Sequence, residues 1–331
     1  MPQPWHKKRP VGVTGRKRSD HQTWTVVKGK VAPPRKNMPE LPEVEVVRQG
    51  LEPLVLNRQI ARISASGLPL RRPVPLAELR RWGEGARVTG VARRAKYLLL
   101  HLDNGALLVF HLGMTGKIYP APADEPPRKH DHLRLILADG RVAGPAVGRA
   151  PEAAGEIRFN DTRRFGLVAV FPPGEARMPP LLAGLGPEPL DEKAFTPAHL
   201  AQHGSKRRAP IKNLLMDNRV VVGIGNIYAN EILFAAGVHP DTPALAVSRA
   251  KLKKICLAAR QILTRAIAAG GTTIADFANA AGDAGYFQVQ LAVYGRAGQP
   301  CLRCRRPIIK RTLAGRATYF CPRCQRRVNV K

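Results

Sequence analysis

Met38-Pro39-Glu40-Leu41-Pro42-Glu43-Val44-Glu45 reads as the opening of a helix. Prolines are tolerated in a first helical turn, where the missing N–H has no partner to lose, and acids there suit the positive end of the helix dipole. Val44, Val47, Leu51 and Leu54 then recur at helical spacing, so a helix is expected from Leu41 to about Leu56. Short β-rich segments follow at 59–64, 87–93, 97–102, 106–111, 132–137, 157–160 and 167–171. Asn104-Gly105 and Asp139-Gly140 supply turns between some of them. One helix followed by short strands in series predicts a β-sandwich flanked by helices.

Beyond that core the composition changes. An Ala/Gly/Pro-rich stretch at 139–156 reads as an extended hairpin loop, and a proline-rich stretch at 172–190 reads as a linker. Helices are expected next. Asn226 can N-cap a helix over 227–236 that Gly237 ends, and Ser248 can cap a longer one reaching about Ala269. The segment 270–288 is loop-rich. Near the end, four of the five cysteines form Cys301-x2-Cys304-x16-Cys321-x2-Cys324, the spacing of a tetrahedral zinc site built from two knuckles joined by a β-hairpin. Four thiolates leave no open coordination position, so the zinc is structural. Cys256 falls on the apolar side of the long helix and is expected to be a buried thiol. The chain is thus expected to be α+β and multidomain. Its parts are a basic leader (1–37), a β-sandwich domain (38–175), a linker (176–190), a helical domain (191–290) and a zinc hairpin (291–331).

The 331 residues carry 54 Lys and Arg against 24 Asp and Glu, a net charge of +30. Such an excess suits a polyanion, and nucleic acid is the usual one. No long apolar run and no strongly basic amphipathic helix points to a membrane. Ten of the basic residues and one acid, Asp20, lie in residues 1–37, so the remainder keeps +21. That leader has no apolar core or small-residue cleavage site of a secretory signal; its composition reads as disordered.

The ordered set of motifs resembles the bacterial formamidopyrimidine-DNA glycosylases over almost all of residues 38–331. It runs from the opening octamer through Arg94-Ala95-Lys96-Tyr97, His111-Leu112-Gly113-Met114-Thr115-Gly116, Lys129-His130-Asp131-His132 and Asn160-Asp161-Thr162-Arg163-Arg164-Phe165-Gly166. It continues through Val222-Gly223-Ile224-Gly225-Asn226-Ile227-Tyr228, Gly270-Gly271-Thr272-Thr273, Gly285-Tyr286-Phe287-Gln288 and the four cysteines. The resemblance implies a helix–two-turn–helix domain and a bifunctional DNA glycosylase/AP lyase of base-excision repair, excising oxidised purines such as 8-oxoguanine and formamidopyrimidines. It makes Pro39 the nucleophile, Glu40 the general acid, Lys96 the active-site lysine, and Arg316 a phosphate grip tied to δ-elimination. It makes Met114, Arg163 and Phe165 the side chains that fill the gap left by a flipped base. His130, Arg164, Arg208, Lys212 and Asn226 become DNA contacts, with Lys212 tied to 8-oxoguanine preference. Segment 271–286 becomes a lid over the flipped base. The implied partner is damaged double-stranded DNA, the implied cofactor one structural Zn2+, and the implied state a monomer in a bacterial cytoplasm, associated with the nucleoid.

Taken without the resemblance, several of these residues have plainer roles. Met114 and Phe165 could be core, Lys96 a strand-edge lysine beside three leucines, and Glu43 and Glu45 solvated or structural acids. Gly223-x-Gly225-Asn226 suits close approach of a phosphate to a helix N-terminus. Three departures stand out: Arg305 replaces a glycine, Gly315 replaces a glutamine, and the loop at 139–156 is long. The largest anomaly is the leader. Inside a chain the Pro39 nitrogen is a tertiary amide with no basic lone pair, so the mechanism requires a start at Met38 or removal of residues 1–38. Two alternatives remain open at this point: an endonuclease VIII-like enzyme for oxidised pyrimidines, or a non-catalytic, zinc-dependent DNA-binding protein.

Overall fold

A computed structural model describes residues 38–138, 155–177, 179–270 and 291–328. The leader, most of the 139–156 loop and the 271–286 segment lie outside the described residues. The first helix is α1 (Leu41–Val55), with Val44, Val47, Leu51 and Val55 on its buried side. There follow β1 (Ile60–Ala65), α2 (Leu76–Gly83), β2 (Val88–Arg94), β3 (Tyr97–Leu102), β4 (Leu107–His111), β5 (Gly116–Ala121), β6 (Asp131–Leu137), β7 (Glu156–Asp161) and β8 (Leu167–Phe171). They make two four-stranded antiparallel sheets, in the orders β1-β6-β7-β5 and β2-β3-β4-β8. The expected sandwich is therefore present. Its core joins the α1 valines to Ile63, Leu98, Leu100, Phe110, Leu135 and Phe159. Each such side chain removed from water contributes about 1.5–3 kcal/mol.

One strand escaped the sequence pattern. β5 contains Pro120, which normally argues against a strand, but β5 lies at the edge of its sheet, where a missing donor is tolerated.

After a single turn, α3 (Pro173–Ala176), the chain enters a helical unit: α4 (Pro197–Gly204), α5 (Ile211–Leu215), α6 (Asn226–Ala236) and α7 (Arg249–Ala268). Ser248 caps α7, as expected, by accepting from the Lys251 N–H. Gly237 ends α6 in the left-handed conformation, φ +64°. Cys256 is buried on α7. α6 is buried on nearly all sides and packs against α7 and the final hairpin, β9 (Ile309–Leu313) with β10 (Arg316–Phe320). α1 also packs on α7, so the two cores meet along the helix that follows Pro39. Among the described residues no helix is long and apolar enough to cross a membrane.

Candidate active site

The site is organised by the residue after Pro39. Glu40 is 3% exposed, and its carboxylate lies at the N-terminus of α6, 185 residues further on. It accepts hydrogen bonds from the N–H groups of Gly225 (2.6 Å), Ile227 (2.8 Å) and Tyr228 (3.3 Å). Asn226 is therefore not the cap. The N-cap residue is Gly225, without a side-chain cap of its own, and a carboxylate from the other core does the capping. The two glycines make room for this. A Cβ at Gly225 would sit 2.4 Å from Glu40 Cδ, and one at Gly223 would sit 2.7 Å from Leu41 Cβ. The Gly-x-Gly element thus admits a carboxylate and its helix.

Burial drives the Glu40 pKa up to about 7, aided by the neighbouring Glu43 carboxylate and opposed by Lys96 and the α6 amides. A carboxyl in that range can deliver a proton near neutrality. Glu43 is buried as well. It accepts from the Glu40 N–H (2.9 Å) and from the Tyr228 hydroxyl (2.9 Å), fixing the backbone on which Glu40 and Pro39 sit. Glu45 is not solvated either: it binds Arg93 (2.9 Å) and Arg48 (2.7 Å).

Lys96 occupies the turn before β3 rather than the strand itself. Arg94 pairs with Tyr97, leaving Ala95-Lys96 as a two-residue hairpin turn, and Ala95 adopts φ +55°. A non-glycine residue in that region costs free energy and persists only where the surroundings enforce it. Burial lowers the Lys96 pKa, against the pull of Glu40 and Glu43 and with the help of Arg316. Four charged side chains therefore share one neighbourhood.

Lys212 is fully buried. Its Nζ donates to Ala317 O (3.1 Å) and Thr318 Oγ1 (2.7 Å), and burial lowers its pKa to about 8. Asn226 Nδ2 also donates to Ala317 O (3.0 Å), and Asn230 Oδ1 accepts from the Tyr319 N–H (2.8 Å). These bonds hold β10 against the helices, leaving Arg316 exposed at its start with one guanidinium nitrogen 3.7 Å from Met216 Sδ. The departures in the hairpin are conformationally sensible. Ala314 (φ +48°) and Gly315 (φ +72°) form its tight turn, and Arg305 takes up φ +66°, the conformation a glycine would favour.

The remaining expected residues lie on the sandwich and in the α4–α5 loop. Phe165 is 44% exposed, with the Arg163 guanidinium 4.7 Å from its ring centroid; it is not core. Met114 is half-buried in the turn before β5. Arg164 (φ +57°) and His130 (φ +75°) sit in tight turns, and Arg208 is exposed between α4 and α5. Residues not singled out from sequence hold this face in place. Asp161 is fully buried; it accepts from the Thr115 hydroxyl, the Arg163 N–H (3.3 Å) and the Gly166 N–H (2.7 Å). Arg71 binds Phe165 O (3.0 Å). The His111 ring accepts from the Gly113 N–H (2.9 Å), and burial lowers its pKa to about 4. In sequence, Asp161 is flagged only by its place in the turn-forming run Asn160-Asp161-Thr162-Arg163.

The four cysteines converge. Their sulfurs lie within 4.8 Å of one another, with Cys301–Cys324 at 3.9 Å and Cys304–Cys321 at 3.4 Å. A tetrahedron with Zn–S bonds of about 2.3 Å has edges of roughly 3.8 Å, so this donor set fits one zinc with no open position.

A buried protonatable carboxyl, a lysine of lowered pKa and exposed arginines on a strongly basic chain are the parts of an acid–base enzyme that works on a polyanion. Comparison with known proteins makes this specific. The chain matches the models of the formamidopyrimidine-DNA glycosylase N-terminal domain (residues 38–168), the formamidopyrimidine-DNA glycosylase H2TH domain (185–278) and the zinc finger found in FPG and IleRS (298–327). It is 46% identical over 289 residues to the formamidopyrimidine-DNA glycosylase of Syntrophotalea carbinolica, covering 87% of this chain and 100% of the relative. The enzyme of Methylococcus capsulatus is 46% identical over 290 residues, again covering 87% and 100%. Among solved structures, a Lactococcus lactis FPG mutant bound to Fapy-dG-containing DNA superposes with a TM-score of 0.76 at 32% identity, covering 87% of this chain and 100% of the other. MutM (FPG) of Thermus thermophilus does so at 0.71 and 37% identity, covering 88% and 100%. The chain belongs to the formamidopyrimidine-DNA glycosylase family.

Proposed function

We infer that this protein is a bifunctional DNA glycosylase and AP lyase of base-excision repair, acting on oxidised purines in double-stranded DNA. The observation that carries this reading is Glu40: a buried carboxyl of pKa about 7, adjacent in sequence to Pro39 and within the electrostatic reach of Lys96. With a free N-terminus, Pro39 is a secondary amine whose lone pair attacks C1′ of the damaged nucleotide as the base departs. Glu40 protonates the ring oxygen, the sugar opens and an iminium forms. The iminium acidifies the C2′ proton; its loss expels the 3′ phosphate, and a second elimination expels the 5′ phosphate. Lys96 and Arg316 hold phosphate and assist these steps. Met114, Arg163 and Phe165 fill the space vacated by the flipped nucleotide, while His130, Arg164, Arg208 and Asn226 grip the backbone, and Lys212 biases the site toward 8-oxoguanine. Two solved structures of the Lactococcus lactis relative, one of them of a mutant, are complexes with Fapy-dG-containing and abasic-site-containing DNA, in keeping with both halves of the reaction.

The one zinc, held by Cys301, Cys304, Cys321 and Cys324, organises the hairpin that presents Arg316; it takes no part in the chemistry. The division of labour is a sandwich over 38–175, a linker over 176–190, a helical domain over 191–290 and the hairpin over 291–331. The protein acts as a monomer at the bacterial nucleoid. Only a free Pro39 amine can react, so the chemistry proposed here belongs to a chain whose first residue is Pro39. Borohydride trapping on an 8-oxoguanine:cytosine duplex tests this, comparing a chain started at Met38 with the full 331 residues. A covalent adduct through Pro39 from the short form alone is the expected result. Trapping by neither, with tight binding retained, would leave a DNA-binding protein without this chemistry.

A further inference from the structure

Glu188 has no part in the chemistry outlined above, yet it touches three successive residues ahead of Lys96. Its Oε1 accepts from the Ala95 N–H (2.7 Å) and from Arg94 (2.9 Å), and its Oε2 accepts from Arg93 (2.7 Å). Arg93 in turn donates to Ala95 O (2.9 Å) and to Glu45 on α1 (2.9 Å). Arg94 reaches the carbonyls of Leu185 (3.1 Å) and Gly186 (2.5 Å), beside Glu188 itself. The segment bearing Glu188 is anchored on its far side too. Gly186 N–H donates to Asn218 O (2.8 Å), Pro187 O accepts from the Val222 N–H (3.1 Å), and a Cβ on Gly186 would lie 2.7 Å from the Val220 backbone.

This arrangement answers a question raised by the turn. Ala95 is held at φ +55°, and something must enforce it. Both its N–H and its carbonyl are engaged, one by Glu188 directly and the other by an arginine that Glu188 shares with α1. Arg93 is only 9% exposed and Glu188 23%, so these ion pairs are shielded from the screening that makes surface pairs weak.

We infer that Glu188 is the positioning residue of Lys96: it clamps the Ala95-Lys96 turn between α1, which follows Pro39, and the 185–188 segment, whose backbone is bonded in turn to Asn218 and Val222 ahead of α6. This rests on the catalytic role proposed for Lys96. Through Glu45 on one side and the Gly186 and Pro187 backbone on the other, the clamp links the three chain segments that supply Pro39, Lys96 and the amides gripping Glu40.

The test is a double-mutant cycle between Glu188→Ala and Lys96→Ala in the chain beginning at Pro39. Single-turnover cleavage of a preformed abasic site is followed together with affinity for a duplex carrying an uncleavable tetrahydrofuran analogue. Loss of alignment of about 1 Å costs up to a hundredfold in rate, so Glu188→Ala is expected to slow cleavage about tenfold to a hundredfold while affinity stays within about twofold. Glu188→Asp should recover part of the rate. In the background of Lys96→Ala, removing Glu188 should cost little more, because the lysine it places is already gone. Rates that multiply in the double variant, or a wild-type cleavage rate in Glu188→Ala, would overturn the assignment. If Glu188→Ala does not fold, as read by thermal melting, the same cycle run with Glu188→Gln decides by the same criteria. A Lys96→Ala protein that cleaves at the wild-type rate would instead refute the catalytic reading of Lys96.

Discussion

Gly225→Ala should disable the enzyme by adding one methyl group. Gly225 has φ −112°, which alanine adopts without strain, so the whole effect comes from the new Cβ. That atom would stand 2.4 Å from Glu40 Cδ and 2.5 Å from Oε1. Ordinary carbon contacts begin near 3.5 Å, so the carboxyl must retreat by about 1 Å. It then loses the bonds from Gly225 (2.6 Å) and Ile227 (2.8 Å). Buried amides left without an acceptor cost about 1–3 kcal/mol each, or roughly 2–6 kcal/mol for the pair. A misplaced general acid adds a rate penalty of about a hundredfold. Single-turnover excision of 8-oxoguanine should therefore fall about a hundredfold or more, with a melting temperature lower by several degrees. Gly174→Ala is the control: nothing lies within 4 Å of its would-be Cβ, and it should be neutral or slightly stabilising. Wild-type excision by Gly225→Ala would refute the claim that this glycine exists to admit Glu40.

Three further outcomes are expected. Excision requires Glu40 protonated and Pro39 free of its proton; with Glu40 near 7 and an α-amine near about 8, the rate should rise with pH on the amine, peak between them and fall as Glu40 ionises, and a single-turnover profile still climbing above about pH 9 would exclude Glu40 as the acid. Phe165→Ala should weaken binding to an abasic-analogue duplex by about 1–3 kcal/mol with an unchanged melting temperature, because the ring is exposed; retained affinity with a large drop in melting temperature would return Phe165 to the core. Cys301→Ser or Cys324→Ser should release zinc, measured by atomic absorption, and weaken DNA binding at least about tenfold by freeing the hairpin; full affinity without metal would remove the hairpin from the interface.

What could be read from sequence follows from the range of the interactions involved. The zinc site was legible because its ligands come in local pairs whose spacing is set by the metal's geometry. α1 was legible because it has one wet face and one dry one. α2 was not expected, and α4 and α5 were not individually placed within the expected helical domain: each is eight residues or shorter, too brief for a period to declare itself. β5 was hidden by Pro120, whose tolerance depends on an edge position that only the assembled sheet defines. At the site, the identities of Pro39, Glu40 and Lys96 came from motif resemblance, whereas their physical support did not. Nothing in Gly225-Asn226 says that a carboxylate 185 residues earlier will occupy those amides, so the local pattern suggested an asparagine cap instead.

That long-range contact also explains how Pro39 and Glu40, the proposed nucleophile and acid, can be neighbours in sequence. Two adjacent residues at the entry to a helix project in different directions. Here the backbone at Glu40 is extended (φ −104°, ψ −170°), and the side chain is drawn into the second core. Pro39 stays partly exposed at the boundary. A carboxylate satisfied only by solvent would keep a pKa near 4 and could not act as an acid at neutral pH. Burial against α6 raises it, and the α6 amides, which favour the charged form, limit that rise. The acid is thus tuned by how closely the two cores approach each other.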